Sequence, residues 1–254
     1  MTSQRWEVWH APRVPILGRV LALLDIDGTL LIGRPHAHTA ALAAAAADVF
    51  GVPATQDDIV AIGPAGRTDR EIARLVLLRH GVPDDRIMAG LPAWIARACE
   101  LYPTFEPLHP PPVVAPGAAE ALEALRGDGV TLALLTGNLE PIAHAKMAAA
   151  GLGGWFPRGR GAFGSDHDRR DALVPIAVAR DGGDPDVVVI GDTPRDVACA
   201  HAGGARCVAV TTGIHGPDDL DGADAVAGGL PAAAAVVRAW RAQGQSPAAR
   251  AAAS

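Results

Sequence analysis

The sequence predicts an α/β protein, a doubly wound parallel sheet with a Rossmann-like core and an inserted α-helical domain. Short apolar runs recur at 20–24, 130–135, 187–190 and 207–210, as expected of strands buried on both faces of a parallel sheet. Helical patterns fall between them at 118–125, 141–150, 171–179 and 195–202, and strands alternating with helices form a doubly wound layer. The interval between the first two runs is too long for one crossover and has helical signals of its own at 39–50, 67–79 and 91–101.

The first run opens the sheet and stops at Asp25. Gly33-Arg34-Pro35 leads out into the insertion, and residues 106–116 lead back through His109-Pro110-Pro111-Pro112 and Pro116. Proline has a fixed φ and no N–H, so such joints resist helix and act as stiff hinges. The core is therefore expected at 1–33 and 113–243, with a helical cap at 34–112. Weaker strand signals stand at 161–164 and, as an edge, at 225–227. Residues 244–254 are alanine-rich and polar without apolar periodicity, and a frayed tail is expected there.

The chain has 254 residues, 49% of them hydrophobic, enough to bury a sizeable core. Its net charge of -6 argues against general attraction to nucleic acid or an anionic membrane and favours a small-molecule partner. Cys99, Cys199 and Cys207 are odd in number and scattered, so neither a disulfide framework nor a zinc site is indicated. No stretch approaches the roughly 18 apolar residues of a membrane span. Residues 1–21 lack a basic region followed by a long apolar run, and a cytoplasmic location is expected. Lys146 is the only lysine in a chain whose other basic charge is arginine.

In an open α/β sheet, reactive groups collect beyond the carboxyl ends of the strands. Three polar segments meet that condition: Asp25 and Asp27 after the first run, Thr136-Gly137-Asn138 after the second, and Gly191-Asp192-Thr193-Pro194-Arg195-Asp196 after 187–190. Each alone has a plainer reading, as an Asp-Gly turn, a helix-capping turn, or a capping aspartate with a first-turn acid. Together they meet the needs of phosphoryl transfer. Asp25, ionised at neutral pH, suits a nucleophile, and Asp27 suits a proton carrier for the leaving oxygen and the attacking water. Carboxylates crowded at one point call for a hard cation with oxygen ligands, and Mg²⁺ is expected on Asp25, the main-chain carbonyl of Asp27 and Asp192, supported by Asp196. The Thr136 hydroxyl and the amides around Gly137 and Asn138 are placed to hold the phosphoryl group near the N-terminus of the helix opening at Pro141.

These segments resemble the signatures of the haloacid dehalogenase-like hydrolase superfamily: Asp25-Ile26-Asp27-Gly28-Thr29-Leu30, Leu134-Leu135-Thr136-Gly137-Asn138, and Val189-Ile190-Gly191-Asp192-Thr193-Pro194-Arg195-Asp196. The resemblance extends over roughly 20–215, and the helical insertion stands where the phosphoglycolate phosphatase-like branch carries its C1-type cap. It implies a Mg²⁺-dependent phosphatase that hydrolyses a small phosphate monoester through an aspartyl-phosphate on Asp25, in a monomer or homodimer. The family's third signature, a lysine-proline pair, is absent. Lys146, Arg170, Arg169 or His167 must then supply the cation that faces the phosphate. Within the superfamily, dehalogenases lack an acid at the position of Asp27, and a phosphonatase needs a cap lysine that this chain does not have. A β-phosphoglucomutase-like phosphomutase remains the main alternative; an inactive binding protein is opposed by the intact Asp25, Asp27, Thr136 and Asp192. In the cap, Arg67 within Gly63-Pro64-Ala65-Gly66-Arg67-Thr68-Asp69 is placed to meet an anionic group of the substrate, although Thr68 or Asp69 also suits the start of the next helix. His36 and His38 follow the first joint and are expected near the entrance.

Overall fold

A computed structural model describes residues 18–33 and 35–244. Six parallel strands form the sheet: β1 (Val20–Leu24), β4 (Thr131–Thr136), β5 (Ala162–Phe163), β6 (Asp186–Gly191), β7 (Arg206–Val210) and β8 (Ala225–Ala227). Their spatial order is β5-β4-β1-β6-β7-β8. β1 lies at the centre, paired with β4 on one side and β6 on the other. The chain therefore reverses its direction of travel across the sheet beside β1, and such a switch point opens a crevice at the carboxyl edge.

Alternation along β1 explains its unbroken apolar run. Val20, Ala22 and Leu24 face one core layer, and Leu21 and Leu23 face the other, because successive strand side chains point to opposite faces. The first layer is completed by α5 (Ala118–Gly127), α6 (Glu140–Ala149) and α9 (Leu230–Gly244), and the second by α7 (Leu173–Asp181) and α8 (Pro194–Ala202).

Between β1 and β4 the chain leaves and returns through a short antiparallel ribbon, β2 (Leu31–Ile32) against β3 (Val113–Val114). Four helices lie between its strands: α1 (His36–Phe50), α2 (Gln56–Ala61), α3 (Asp69–Arg79) and α4 (Asp84–Phe105). They share an apolar core around Trp94, whose indole N–H donates to the Leu42 carbonyl at 3.2 Å. Leu139 and Ile142, at the start of α6, join that same cluster. The insertion is thus seated on α6 by apolar packing as well as tethered by the ribbon.

Three elements depart from the sequence reading. The α2 helix was not expected; its capping box, Thr55 with Asp58, is a local signal, but six residues are too short to show periodicity. The α4 helix starts at Asp84 rather than near 91 and runs through Pro92 and Pro103, because Ile87, Leu91, Trp94, Ala98 and Tyr102 form one buried stripe that outweighs the two missing N–H donors. The α9 helix also went unread, although Leu230, Ala233, Ala234, Val237 and Trp240 form a buried stripe at helical spacing. Residues 1–17 of the core segment expected at 1–33, Arg34 in the first joint and residues 245–254 of the expected tail lie outside the described residues.

Candidate active site

Asp25 follows β1 directly, and its N–H donates to the Ile190 carbonyl at 2.9 Å, tying it to the neighbouring strand end. The chain then folds tightly, with the N–H groups of Thr29, Leu30 and Leu31 converging on the Ile26 carbonyl. Gly28 occupies this turn at φ 91°. A Cβ there would stand 2.2 Å from Oδ2 of Asp192, and one on Gly213 would stand 1.7 Å from the same atom. The Asp192 carboxylate therefore lies in a cradle that two residues without side chains make possible.

Two charge clusters occupy the edge. In the first, carboxylate oxygens of Asp25, Asp192 and Asp196 lie within 4.8 Å of one another. Arg170 enters from the turn Arg170–Ala172, with Nη2 3.0 Å from Asp25 Oδ1 and also paired with Asp196. Asp196 is already committed: it closes a capping box at the start of α8, accepting from the Thr193 N–H at 3.0 Å and the Thr193 hydroxyl at 2.7 Å. Burial pushes the Asp25 carboxyl up to about 7, against the pull of Arg170 and with the added push of Asp196 and Asp27. Burial and the charges of Asp25 and Asp196 push Asp192 up to about 8. Arg170 moves the other way; although burial disfavours its charge, Asp196 and Asp25 hold the guanidinium protonated more firmly than usual.

The second cluster surrounds Asp27. Lys146 Nζ lies 2.9 Å and 2.7 Å from its two carboxylate oxygens, 2.6 Å from Asn138 Oδ1 and 3.1 Å from His38 Nδ1. An ammonium has three donors, and these three partners use them all. His38 Nε2 meets Asp69 Oδ2 at 2.8 Å. Nδ1 accepts from Lys146, so the ring proton sits on Nε2 and is donated to Asp69. Burial alone would raise Asp27, but the Lys146 ammonium and the hydrogen bonds from Lys146 and Asn138 hold it below the ordinary carboxylate range.

Both leading candidates for the missing cation therefore reach the edge, on different carboxylates: Arg170 on Asp25 and Lys146 on Asp27. Arg169 pairs with Asp171, and His167 lies 3.1 Å from Asp168, with all four side chains more than a third exposed. Asn138 is turned inward. Its Nδ2 donates to Asp27 at 2.9 Å and to the Thr136 hydroxyl at 2.7 Å, which leaves the Thr136 O–H directed elsewhere. The first amides of α6 are also taken, Leu139 N–H by Asp69 at 2.8 Å and Glu140 N–H by Ser165 at 2.7 Å.

The loop 63–69 of the insertion rests on the core. Core arginines donate to its carbonyls, Arg195 to Ala65 at 2.7 Å and Arg170 to Gly66 at 3.3 Å. Thr68 donates its hydroxyl to the Asp168 carbonyl at 2.6 Å, and Asp69 N–H donates to Gly137 O at 2.8 Å. Gly137 permits this approach, since a Cβ there would stand 1.9 Å from the Arg67 carbonyl oxygen. Arg67 lines the cavity between cap and core, but its guanidinium pairs with Glu71 one turn along α3 and donates to Gly63 O at 3.1 Å. Of the residues that the sequence left without a definite role, Asp69 and His38 are the most deeply involved. No local signal linked them to the site, because His38 lies 31 positions from Asp69 and 108 from Lys146.

A family model described as haloacid dehalogenase-like hydrolase matches residues 22–201. The chain belongs to the haloacid dehalogenase-like hydrolases. A second model of HAD-like hydrolases matches 171–233. The chain is 31% identical over 207 residues to "Probable phosphatase IndB" of Dickeya dadantii, covering 80% of this chain and 86% of that protein. It is 29% identical over 217 residues to phosphoglycolate phosphatase 1 of Pseudomonas aeruginosa, covering 82% and 74%. The solved structure of a hydrolase from Pseudomonas syringae shares the fold, with a TM-score of 0.62 at 19% identity over 87% of this chain and 99% of that one.

In this haloacid dehalogenase-like hydrolase the donor set at the sheet edge suits a hard divalent cation. The clustered groups are carboxylate oxygens, with no thiol or imidazole among them. Two carboxyls driven upward by burial and mutual repulsion are the groups that a cation would return to their charged form. No described helix is long and apolar enough to cross a membrane.

Proposed function

We propose that this hydrolase is a Mg²⁺-dependent phosphatase that cleaves small phosphate monoesters in two steps, with Asp25 as nucleophile. The observation that carries the reading is the Asp25 carboxylate, held by Arg170 beside Asp192 and facing a cavity of about 420 Å³ that Asp27, Thr136 and Asn138 also line. Asp25, Asp192 and the Asp27 carbonyl would hold Mg²⁺, whose charge would neutralise the phosphate oxygens and the clustered carboxylates. Asp196 acts through Arg170 and Thr193, which engage both of its oxygens.

In the first step Asp25 attacks phosphorus and the ester oxygen departs with a proton from Asp27. In the second, Asp27 takes a proton from the water that attacks the aspartyl-phosphate, releasing inorganic phosphate and restoring Asp25. The resting arrangement, with Asp27 held as a carboxylate by Lys146 and Asn138, suits the second step. The first needs a protonated Asp27, and an arriving phosphate dianion raises the affinity of a neighbouring carboxylate for a proton. The Thr136 hydroxyl and the Gly137 amide hold the equatorial oxygens, joined by the Asn138 amide once it leaves the Thr136 oxygen, to which it donates at 3.3 Å. Arg67 meets an anion only if that anion displaces Glu71.

The test is release of inorganic phosphate from p-nitrophenyl phosphate and a panel of small esters. Turnover should require Mg²⁺, stop with EDTA and be inhibited by Ca²⁺, which prefers a larger and looser coordination shell. Absence of EDTA-sensitive release across the panel would sink the reading, and transfer to a sugar without release would favour a phosphomutase. Stability supplies a second measurement. Asp25 and Asp192 bind protons up to about pH 7 and about pH 8 in the folded state, whereas an unfolded aspartate gives up its proton at about pH 4. The folded state thus holds more protons across that window, so metal-free stability should fall as pH rises through it. Mg²⁺ competes for the same oxygens, and its thermal stabilisation should be larger at pH 8 than at pH 5. An equal effect at both pH values would place the ion elsewhere.

A further inference from the structure

The cap side of the cavity has a chemical character that the reacting edge does not share. Leu42 of α1, Ile59 of α2 and Ile72 of α3 form its wall, Pro64 flanks them, and Ile214, 82% exposed, stands at the mouth. One aliphatic side chain from each of three cap helices thus lines the cavity that Asp25 lines from the core, on the side where the part of a substrate beyond its phosphate would lie. The polar groups on that side already have partners. His38 and Asp69 hydrogen-bond each other, and His38 also meets Lys146. Arg67 pairs with Glu71. Among the described residues, no other arginine or lysine of the insertion lines the cavity.

A second anionic group on the leaving alcohol would therefore lose water against aliphatic carbon, or have to displace Glu71 from Arg67. Burying a charge without a partner is costly. An apolar body would instead gain from leaving water. We infer that the substrate is a phosphate monoester of a neutral alcohol with an apolar body, alkyl or arylalkyl, rather than of a hydroxy acid. Hydrolysis of such an ester, R–O–PO₃, yields R–OH and inorganic phosphate. This inference rests on the phosphatase reading.

The wall also limits length. Leu42, Ile59 and Ile72 back onto a void of about 10 Å³ bounded by Ala43, Ala46 and Trp94 inside the cap. Shortening Leu42 should join that void to the cavity and admit a longer chain.

The experiment measures kcat/KM with Mg²⁺ for ethyl, butyl and hexyl phosphate, and for benzyl phosphate against phosphoglycolate. Leaving-group acidity is nearly constant along the alkyl series, so the trend reads the pocket. We expect a rise of about fourfold per added methylene, equivalent to about 0.8 kcal/mol each, until the wall is met. Benzyl phosphate should exceed phosphoglycolate by about tenfold or more. In Leu42→Ala the optimum should move to a longer chain; the wild-type series decides the matter if that variant does not fold. A flat or falling series, or preference for phosphoglycolate, overturns the inference and leaves the phosphatase reading standing. If no ester is hydrolysed, the phosphatase reading fails, and calorimetry with benzylphosphonate and phosphonoacetate in Mg²⁺ tests the pocket independently. Tighter binding of benzylphosphonate supports the apolar subsite; tighter phosphonoacetate, or no binding of either, overturns it.

Discussion

Asp25→Asn should lower kcat by about 10⁴-fold or more and abolish the covalent phosphoenzyme, because a neutral amide cannot replace the carboxylate as nucleophile. The substitution keeps the side chain's shape and removes one of three crowded acidic groups. The variant should therefore fold, and without metal it should melt no lower than the wild type, since burial opposes the Asp25 charge. Acid-quenched protein incubated with substrate should carry one added phosphoryl group in the wild type and none in the variant. A variant that still formed the adduct, or kept full turnover, would remove Asp25 from the proposed role.

The second large effect separates the two cations. Arg170→Ala would leave Asp25 and Asp196 without the guanidinium that both contact in a buried setting. Removing one member of a buried pair costs about 3–5 kcal/mol, and a charge lost beside the transferring phosphoryl group lowers turnover by about 10²–10³-fold. Denaturant unfolding without metal should show the first effect, and Mg²⁺ should recover part of it by supplying charge to the same carboxylates. Lys146→Ala acts on Asp27, which loses the ammonium that holds it low. A smaller loss of about 10–10²-fold is expected, with the acid limb of the kcat profile moving to higher pH because Asp27 then gives up its proton later. If the two variants lowered turnover equally and neither moved the profile, the division of labour between Arg170 and Lys146 would fail.

The expected role of Arg67 now depends on exchange of its partner. Arg67 lines the cavity, but its pair with Glu71, four positions on, competes with any anion. The sequence reading set the phosphate on the amides around Gly137 and Asn138; the next two, of Leu139 and Glu140, are satisfied by Asp69 and Ser165. Helix ends leave donors that something must occupy. Which group does so depends on what the fold brings near.

The alternation of the core strands with helices, the parallel class of the sheet and the grouping of Asp25, Asp27, Thr136 and Asp192 at one edge were determined by sequence alone, whereas α2, α9 and the β2–β3 ribbon were not. A strand buried on both faces must be apolar along its length, and in a parallel sheet every strand presents its carboxyl end to the same rim. Tertiary structure alone decided which cation faces which carboxylate, how the cap rests on Gly137, and what its inner wall is made of. Arg170 meets Asp196 across 26 positions and Lys146 meets Asp27 across 119, and nothing periodic in the chain encodes such a meeting. It follows from the parallel pairing of β1 with β4 and β6, which brings together the ends of those strands and the segments that follow them, whereas the cap's place follows from apolar seating on α6 and the close approach that Gly137 permits.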